Sequence, residues 1–149
     1  MNSPNNRQNS PKTSVHLFDI RVYSEDTDCF GIVHHAKYMC FLSRARGEWL
    51  RAMGMSVDAL QKQGFIFPVC SAKIDFLRPA YLGDLLSVHT QLLELKRASF
   101  VLCQRVTCGD TLLTKADVKL ACVSTVLKPC ALPSDLFLEM KKRDRPLPP

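Results

Sequence analysis

The residues best suited to chemistry lie in one short polar stretch, 24–36, with the sequence SEDTDCFGIVHHA. Asp26 and Asp28 come just before a segment predicted to be helical, with Gly31 between them and its start. A helix N-terminus presents free N–H groups and a positive dipole, which can polarise a carbonyl or hold an oxyanion. A carboxylate aimed at the same carbonyl can attack it or activate a water molecule. A thioester suits so sparse a site, because thiols have a pKa near ~8.5 and a thiolate leaves readily.

The same residues also have simpler interpretations. An Asp near a helix N-terminus is most often a cap or part of an Asx-turn. His34 and His35 are consecutive, so they cannot face one site in the same way, and solvent or packing roles are the ordinary expectation for each. Cys29 invites comparison with a Cys–His nucleophile, but its spacing to the histidines gives that no support, and a buried thiol is more common.

One long helix is predicted directly after this stretch, over residues 37–53. Its apolar residues recur every three or four positions and form one stripe: Tyr38, Phe41, Leu42, Ala45, Trp49, Ala52 and Met53. Gly54 is a plausible C-cap, and Ser56 is expected to cap a shorter helix, Val57–Gln63.

The rest of the chain is predicted to be mostly β. A first strand covers 15–23, and four more follow the helices at Phe65–Phe76, Leu85–Leu95, Ser99–Thr107 and Leu112–Val126. A short helix is possible at Ser134–Lys142. The order predicts an α+β domain in which an antiparallel sheet of about five strands wraps around one long helix. We expect a disordered tail at 1–14, one domain at 15–138 and a basic, Pro-rich tail at 139–149.

Composition and charge narrow the class of protein. With 149 residues, of which 46% are hydrophobic and 23% charged, the chain suits one globular domain. Of the net charge of +6, residues 1–14 supply +2 and 139–149 another +2. A nucleic-acid-binding protein usually concentrates its basic residues on the folded surface, and this chain does not, so the charge argues against nucleic-acid binding.

The cysteines and the apolar runs indicate the cellular compartment of the protein. The seven cysteines contain no C-x-x-C pair, which argues against a disulfide framework or a zinc site and favours reduced thiols. The polar N-terminus does not resemble a signal peptide, and no run approaches the roughly 18 apolar residues of a membrane span. We therefore expect a cytoplasmic protein.

Two stretches resemble the 4-hydroxybenzoyl-CoA thioesterase family, and most closely its acyl-CoA thioesterases associated with the bacterial Tol–Pal system. The first, RVYSEDTDCFGIVHHAKYMCFLSRARGEWLRAMG, combines Asp-Thr-Asp, a Gly, a His and a helix with Ala-Arg and an acid. The second, FPVCSAKIDFLRPAYLGDLLSVHTQL, matches in its Arg-Pro-Ala turn and Gly-Asp. The resemblance covers about residues 15–127 and implies a hotdog fold, a curved antiparallel sheet wrapped around a central helix.

The resemblance also implies an activity and a site. The activity is hydrolysis of an acyl-CoA to a free acid and coenzyme A, without a metal or cofactor. Asp28 falls on the catalytic aspartate and His35 on its partner, whose backbone N–H polarises the carbonyl. Substrate contacts fall on Gly31, Ile32, Val33 and Tyr38.

The family pairs hotdogs into a homodimer or homotetramer with the site at the subunit interface, and an acyl-carrier protein is a possible alternative to coenzyme A. Cys29 and Phe30 stand where relatives often have small residues, which leaves the acyl preference open. Two other interpretations remain: a hydratase or dehydratase of acyl thioesters on the same fold, and a non-catalytic acyl-thioester-binding partner of an envelope complex.

Overall fold

The computed structural model describes residues 14–144. Their elements follow one another along the chain as β1 (His16–Arg21), a 3₁₀ turn (Ser24–Asp26), α1 (His35–Ala52), α2 (Val57–Lys62), β2 (Val69–Phe76), β3 (Leu85–Leu95), β4 (Ser99–Cys108), β5 (Thr111–Ala121) and α3 (Ser134–Lys141). The predicted α+β order is therefore confirmed. The predicted N-terminal tail, 1–14, lies outside the described residues except for Ser14. Of the predicted C-terminal tail, residues 139–141 continue α3, and residues 145–149 lie outside the described residues.

The five strands form one curved antiparallel sheet in the order β1-β3-β4-β5-β2. Strands β3, β4 and β5 are joined by hairpins, whereas β1 pairs with β3 and β2 pairs with β5 across long stretches of chain. Along the three central strands every second residue is buried, as on a sheet with one covered face.

Helix α1 covers that buried face. Its predicted stripe is largely confirmed, since Tyr38, Phe41, Leu42, Ala45, Trp49 and Met53 are all buried. Ala52 is the exception: it is exposed, and Leu50 is buried in addition. The core side chains of β3, β4 and β5 pack against this stripe, so one long helix against one sheet encloses most of the apolar volume of the domain.

Strand β2 differs from the others because almost all of its residues are exposed. It begins at Val69 rather than at the predicted Phe65, since residues 65–68 form only an isolated bridge, Ile66 to Val123. For the same reason β5 ends at Ala121, short of the predicted Val126. Pro68, which lacks a backbone donor, marks the boundary of β2. Strand β2 is thus an edge strand whose outer side is open within residues 14–144.

Candidate active site

Asp28 lies in a tight turn that fixes its carboxylate. Its Oδ1 accepts a hydrogen bond from the Phe30 N–H at 2.8 Å, and its own N–H donates to the Ile32 carbonyl at 2.8 Å. The Gly31 N–H donates to the Asp28 carbonyl at 3.1 Å, and Gly31 has φ +78°, a conformation that glycine adopts without a side-chain penalty. The Asx-turn expected as the simpler interpretation is present, yet it occupies only one carboxylate oxygen: within residues 14–144, Oδ2 has no hydrogen-bond partner.

Asp26 has a different environment. Only 4% of the residue is exposed. Its Oδ2 accepts from the Tyr23 N–H at 2.9 Å, its Oδ1 lies 3.7 Å from Lys37 Nζ, and its carbonyl accepts from the His34 N–H at 2.8 Å. The contacts with His34 and Lys37 join the loop to the start of α1, and the contact with Tyr23 joins it to the end of β1, so Asp26 has a structural role.

Helix α1 begins two residues earlier than predicted, at His35. The reason is His34, whose ring Nδ1 accepts from the Ala36 N–H at 3.1 Å and acts as the N-cap. Histidine is not among the usual N-cap residues, so no local signal in the sequence marks this start. The His34 and His35 rings stack with centroids 4.3 Å apart. The backbone N–H of His35, the first of the helix, has no acceptor within the described part of the chain.

The Asp28 turn and the start of α1 meet at a cavity of about 340 Å³. Of the residues predicted from the sequence, five line it: Asp28, Ile32, Val33, His35 and Tyr38. Gly31 is not among the lining residues; its place is in the turn that presents Asp28. Within residues 14–144, no three His, Cys, Asp or Glu side chains form a group able to hold a metal ion.

Tyr38 forms the inner wall of the cavity. It is buried, and its ring makes an edge-on contact with Phe76 at a centroid distance of 5.5 Å. Burial raises the pKa of the Tyr38 phenol above its usual range. The phenol is therefore neutral at physiological pH, and Tyr38 contributes a mainly apolar surface.

The opposite wall was not predicted. It consists of Phe76, Leu77, Arg78 and Pro79, at the end of β2 and the turn that follows. The backbone holds this turn against the Asp28 loop: the Val33 N–H donates to the Ala80 carbonyl at 2.9 Å, and Ile32 forms a bridge with Tyr81. In the sequence, the Arg-Pro-Ala motif indicated only a turn, because nothing local shows which loop it contacts.

Comparisons with known proteins agree with this architecture. The chain is 38% identical over 132 residues to the acyl-CoA thioester hydrolase YbgC of Escherichia coli O6:H1, covering 87% of this chain and 98% of that protein. It is 41% identical over 121 residues to the acyl-CoA thioesterase YbgC of Haemophilus influenzae, covering 80% and 89%. The crystal structure of a probable thioesterase from Bartonella henselae superposes with a TM-score of 0.73 at 36% identity, covering 80% of this chain and 98% of that one.

The hotdog fold expected from the resemblance is also found in a structure from Synechocystis, a 1,4-dihydroxy-2-naphthoyl-CoA thioesterase, with a TM-score of 0.80 at 24% identity. Among residues 14–144, no helix is long and apolar enough to cross a membrane. Residues 22–139 match the Thioesterase-like superfamily, and the chain belongs to that family.

Proposed function

We propose that this protein is an acyl-CoA thioesterase that hydrolyses its substrate beside Asp28. One observation carries the proposal: the free carboxylate oxygen of Asp28 and the unpaired N–H of His35 belong to residues that line the same cavity. The relatives named acyl-CoA thioester hydrolases support the same substrate class for this chain.

The chemistry follows from the two groups. The thioester carbonyl oxygen accepts from the His35 N–H, where the dipole of the 18-residue helix α1 favours developing negative charge. The free oxygen of Asp28 then either attacks the carbonyl carbon or takes a proton from a water that attacks it. In both routes the carbon–sulfur bond breaks and coenzyme A leaves as a thiolate. When water attacks, its oxygen bonds to the acyl carbon and its protons go to Asp28 and then to the thiolate. When Asp28 attacks, an acyl–Asp28 anhydride forms, and water then cleaves it, so that the free acid leaves, one water oxygen stays in the acid or in Asp28, and the protons of the water complete the products.

The walls of the cavity suit the two ends of the substrate. Phe76, Leu77 and Tyr38 offer apolar surface to an acyl group, and Phe76 and Leu77 are half-exposed at 51% and 55%. Arg78 adds a positive charge to the same wall, which favours the approach of the anionic coenzyme A portion of the substrate.

A second copy of the chain is part of the proposal, as a homodimer or homotetramer. Strand β2 is an open edge that ends at the cavity wall, and the backbone groups on its open side can pair with another strand. Phe30, Tyr81 and Leu82, near the same cavity in sequence, are exposed at 83%, 54% and 61%. Sedimentation should therefore show a species heavier than the 16.8 kDa chain at micromolar concentration; a monomer alone would contradict the assembly.

Seven free thiols favour a cytoplasmic location.

The test of the function is release of free thiol from acyl-CoA substrates of different chain lengths, with aliphatic and aromatic acyl groups. Thiol release that depends on Asp28 supports the proposal. Water addition to an enoyl-CoA without thiol release would instead identify a hydratase. Repeating the assay with acyl-carrier protein in place of coenzyme A tests which carrier is used. After one turnover in isotopically labelled water, label in Asp28 would identify attack by the carboxylate itself.

A further inference from the structure

A second cavity lies further along α1, beside residues 43–50, and shares no lining residue with the Asp28 cavity. Its volume is about 300 Å³, and its walls come from α1, α2, the segment before β2, and Leu120 of β5. Most of the wall is apolar, through Leu50, Val57, Phe65, Phe67 and Leu120. A cavity of this size with apolar walls and few polar groups has the usual character of a small-molecule site.

Among the described residues, Arg46 is the only ionisable one that lines this cavity. Its side chain is partly buried, and burial lowers the pKa of the guanidinium. Within residues 14–144 no acid lies within ion-pairing distance of Arg46; the nearby Glu48 pairs with Arg51 instead, at 3.4 Å. Partial burial of a cation without a counterion carries a desolvation cost, and an anion that enters the cavity would reduce that cost.

The guanidinium is held in a fixed place. Arg46 Nη1 donates to Gln104 Oε1 at 3.0 Å. The amide of Gln104 is fully buried and cannot turn over, because its Nε2 donates to the Leu42 carbonyl and to Thr90 Oγ1, both at 3.0 Å. Arginine has five N–H donors, so one bond positions the group while the others remain available for a planar acceptor such as a carboxylate.

Gly47 adds an independent observation. It lies in the interior of α1, where glycine weakens a helix relative to alanine. Its φ is not positive, and a Cβ at this position would meet no atom within 4 Å, so neither backbone conformation nor crowding requires glycine here. What the missing side chain does provide is open space in the cavity next to Arg46.

We propose that this cavity binds a small carboxylate with an apolar tail, the carboxylate on Arg46 and the tail against Leu50, Phe65 and Phe67. The acid released by the proposed thioesterase reaction belongs to this chemical class. The site itself does not depend on that reaction, because binding at Arg46 is measured without turnover.

The experiment uses the full-length protein in its native assembly and follows backbone amide NMR shifts during titration with sodium hexanoate. The expected result is saturable shifts centred on Gly47, Val57 and Gln61. Hexanamide, which has the same shape without the charge, should bind at least about tenfold more weakly, since hydrogen bonds to charged groups are the stronger ones. Equal binding of the two ligands would overturn the proposal, as would shifts confined to the Asp28 cavity or no saturable shift at all.

Two sets of variants complete the test. Arg46→Gln should weaken hexanoate binding at least about tenfold, but it also disturbs the contact with Gln104. Val57 avoids that difficulty, because it is 53% exposed at the start of α2. Val57→Glu places a competing carboxylate at the cavity and should abolish hexanoate binding, whereas Val57→Gln, matched in size, should retain it. The same affinity in both Val57 variants would refute carboxylate recognition. Thiol release should be unchanged in both, which separates this site from the proposed active site.

Discussion

Asp28→Asn is the most informative change, because the structure predicts that it separates chemistry from folding. The substituted side chain retains an amide oxygen that can accept from the Phe30 N–H, so the turn that Asp28 makes at 2.8 Å is preserved. The carboxylate oxygen that has no partner is replaced by an amide group with neither negative charge nor basicity. The turnover number should fall by roughly 10²–10⁴, the usual scale for loss of a general base. The free energy of unfolding should change by less than about 1 kcal/mol, since an amide serves in an Asx-turn as a carboxylate does.

Asp26→Asn is the matched comparison, an identical chemical change two residues away. The new amide oxygen can still accept from the Tyr23 N–H, but the substitution removes the buried negative charge facing Lys37 and places an amide N–H₂ there. The pair with Lys37 is partly exposed and long at 3.7 Å, which limits its value. We expect a loss of stability of about 1–2 kcal/mol, with most of the activity per folded molecule retained.

Both variants are assayed in the same way, by thiol release from an acyl-CoA and by thermal unfolding. The expected pattern is a large loss of turnover with a nearly unchanged melting temperature for Asp28→Asn, and the opposite for Asp26→Asn. If Asp28→Asn turned over like the unmodified protein, the mechanism proposed here would be refuted. If it lost stability and kept its activity per folded molecule, Asp28 would be only a structural residue of the loop.

Three further predictions concern the core, the helix and the thiols. Trp49→Ala should cost about 3–5 kcal/mol of unfolding free energy, because Trp49 is 2% exposed and packs near Phe100; a near-neutral effect in denaturant unfolding would contradict its burial. Gly47→Ala should stabilise α1 by about 1 kcal/mol in the same measurement, and a destabilised variant would reveal crowding that the structure does not show. All seven thiols should titrate in the unfolded, unreduced protein. In the folded protein, Cys122 should be alkylated far more slowly than Cys29 and Cys70. The reason is that burial and the neighbouring Cys130 raise the pKa of the Cys122 thiol to about 12. Peptide mapping by mass spectrometry checks the rates; a titre of five would indicate that Cys122 and Cys130, with sulfur atoms 3.6 Å apart, had joined in a disulfide.

Much of the fold was predictable because its signals are local. The spacing of Tyr38, Leu42, Ala45 and Trp49 identified α1 and the face that it buries, and alternation along β5 identified a strand with one open face. Boundaries were less accurate where a partner decides them. The start of α1 depends on a histidine cap, and the ends of β2 and β5 depend on where the two strands stop pairing with each other.

The candidate site was predictable on one side only. Asp28 and His35 are close in sequence, so a motif could point to both. The opposite wall, Phe76–Pro79, reaches the site because β2 pairs with β5 at one edge of the sheet and the turn after β2 then contacts the Asp28 loop. Arg46 was equally inaccessible to sequence reasoning, because its lack of an acidic partner and its bond to Gln104, 58 residues away, are properties of the fold.

The two acids of the Asp-Thr-Asp motif show how one loop can be both rigid and reactive. A carboxylate that uses both oxygens in structural bonds is held well but offers no free oxygen to a substrate, and one that makes no bonds is free but poorly positioned. Here the tasks are divided. Asp26 is buried and joins Tyr23, His34 and Lys37, which fixes the loop on α1. Asp28 then needs only one oxygen, on the Phe30 N–H, to fix its direction, and the other remains available beside the start of the helix. Asp26 therefore contributes to the stability of the loop, and Asp28 carries the proposed chemistry.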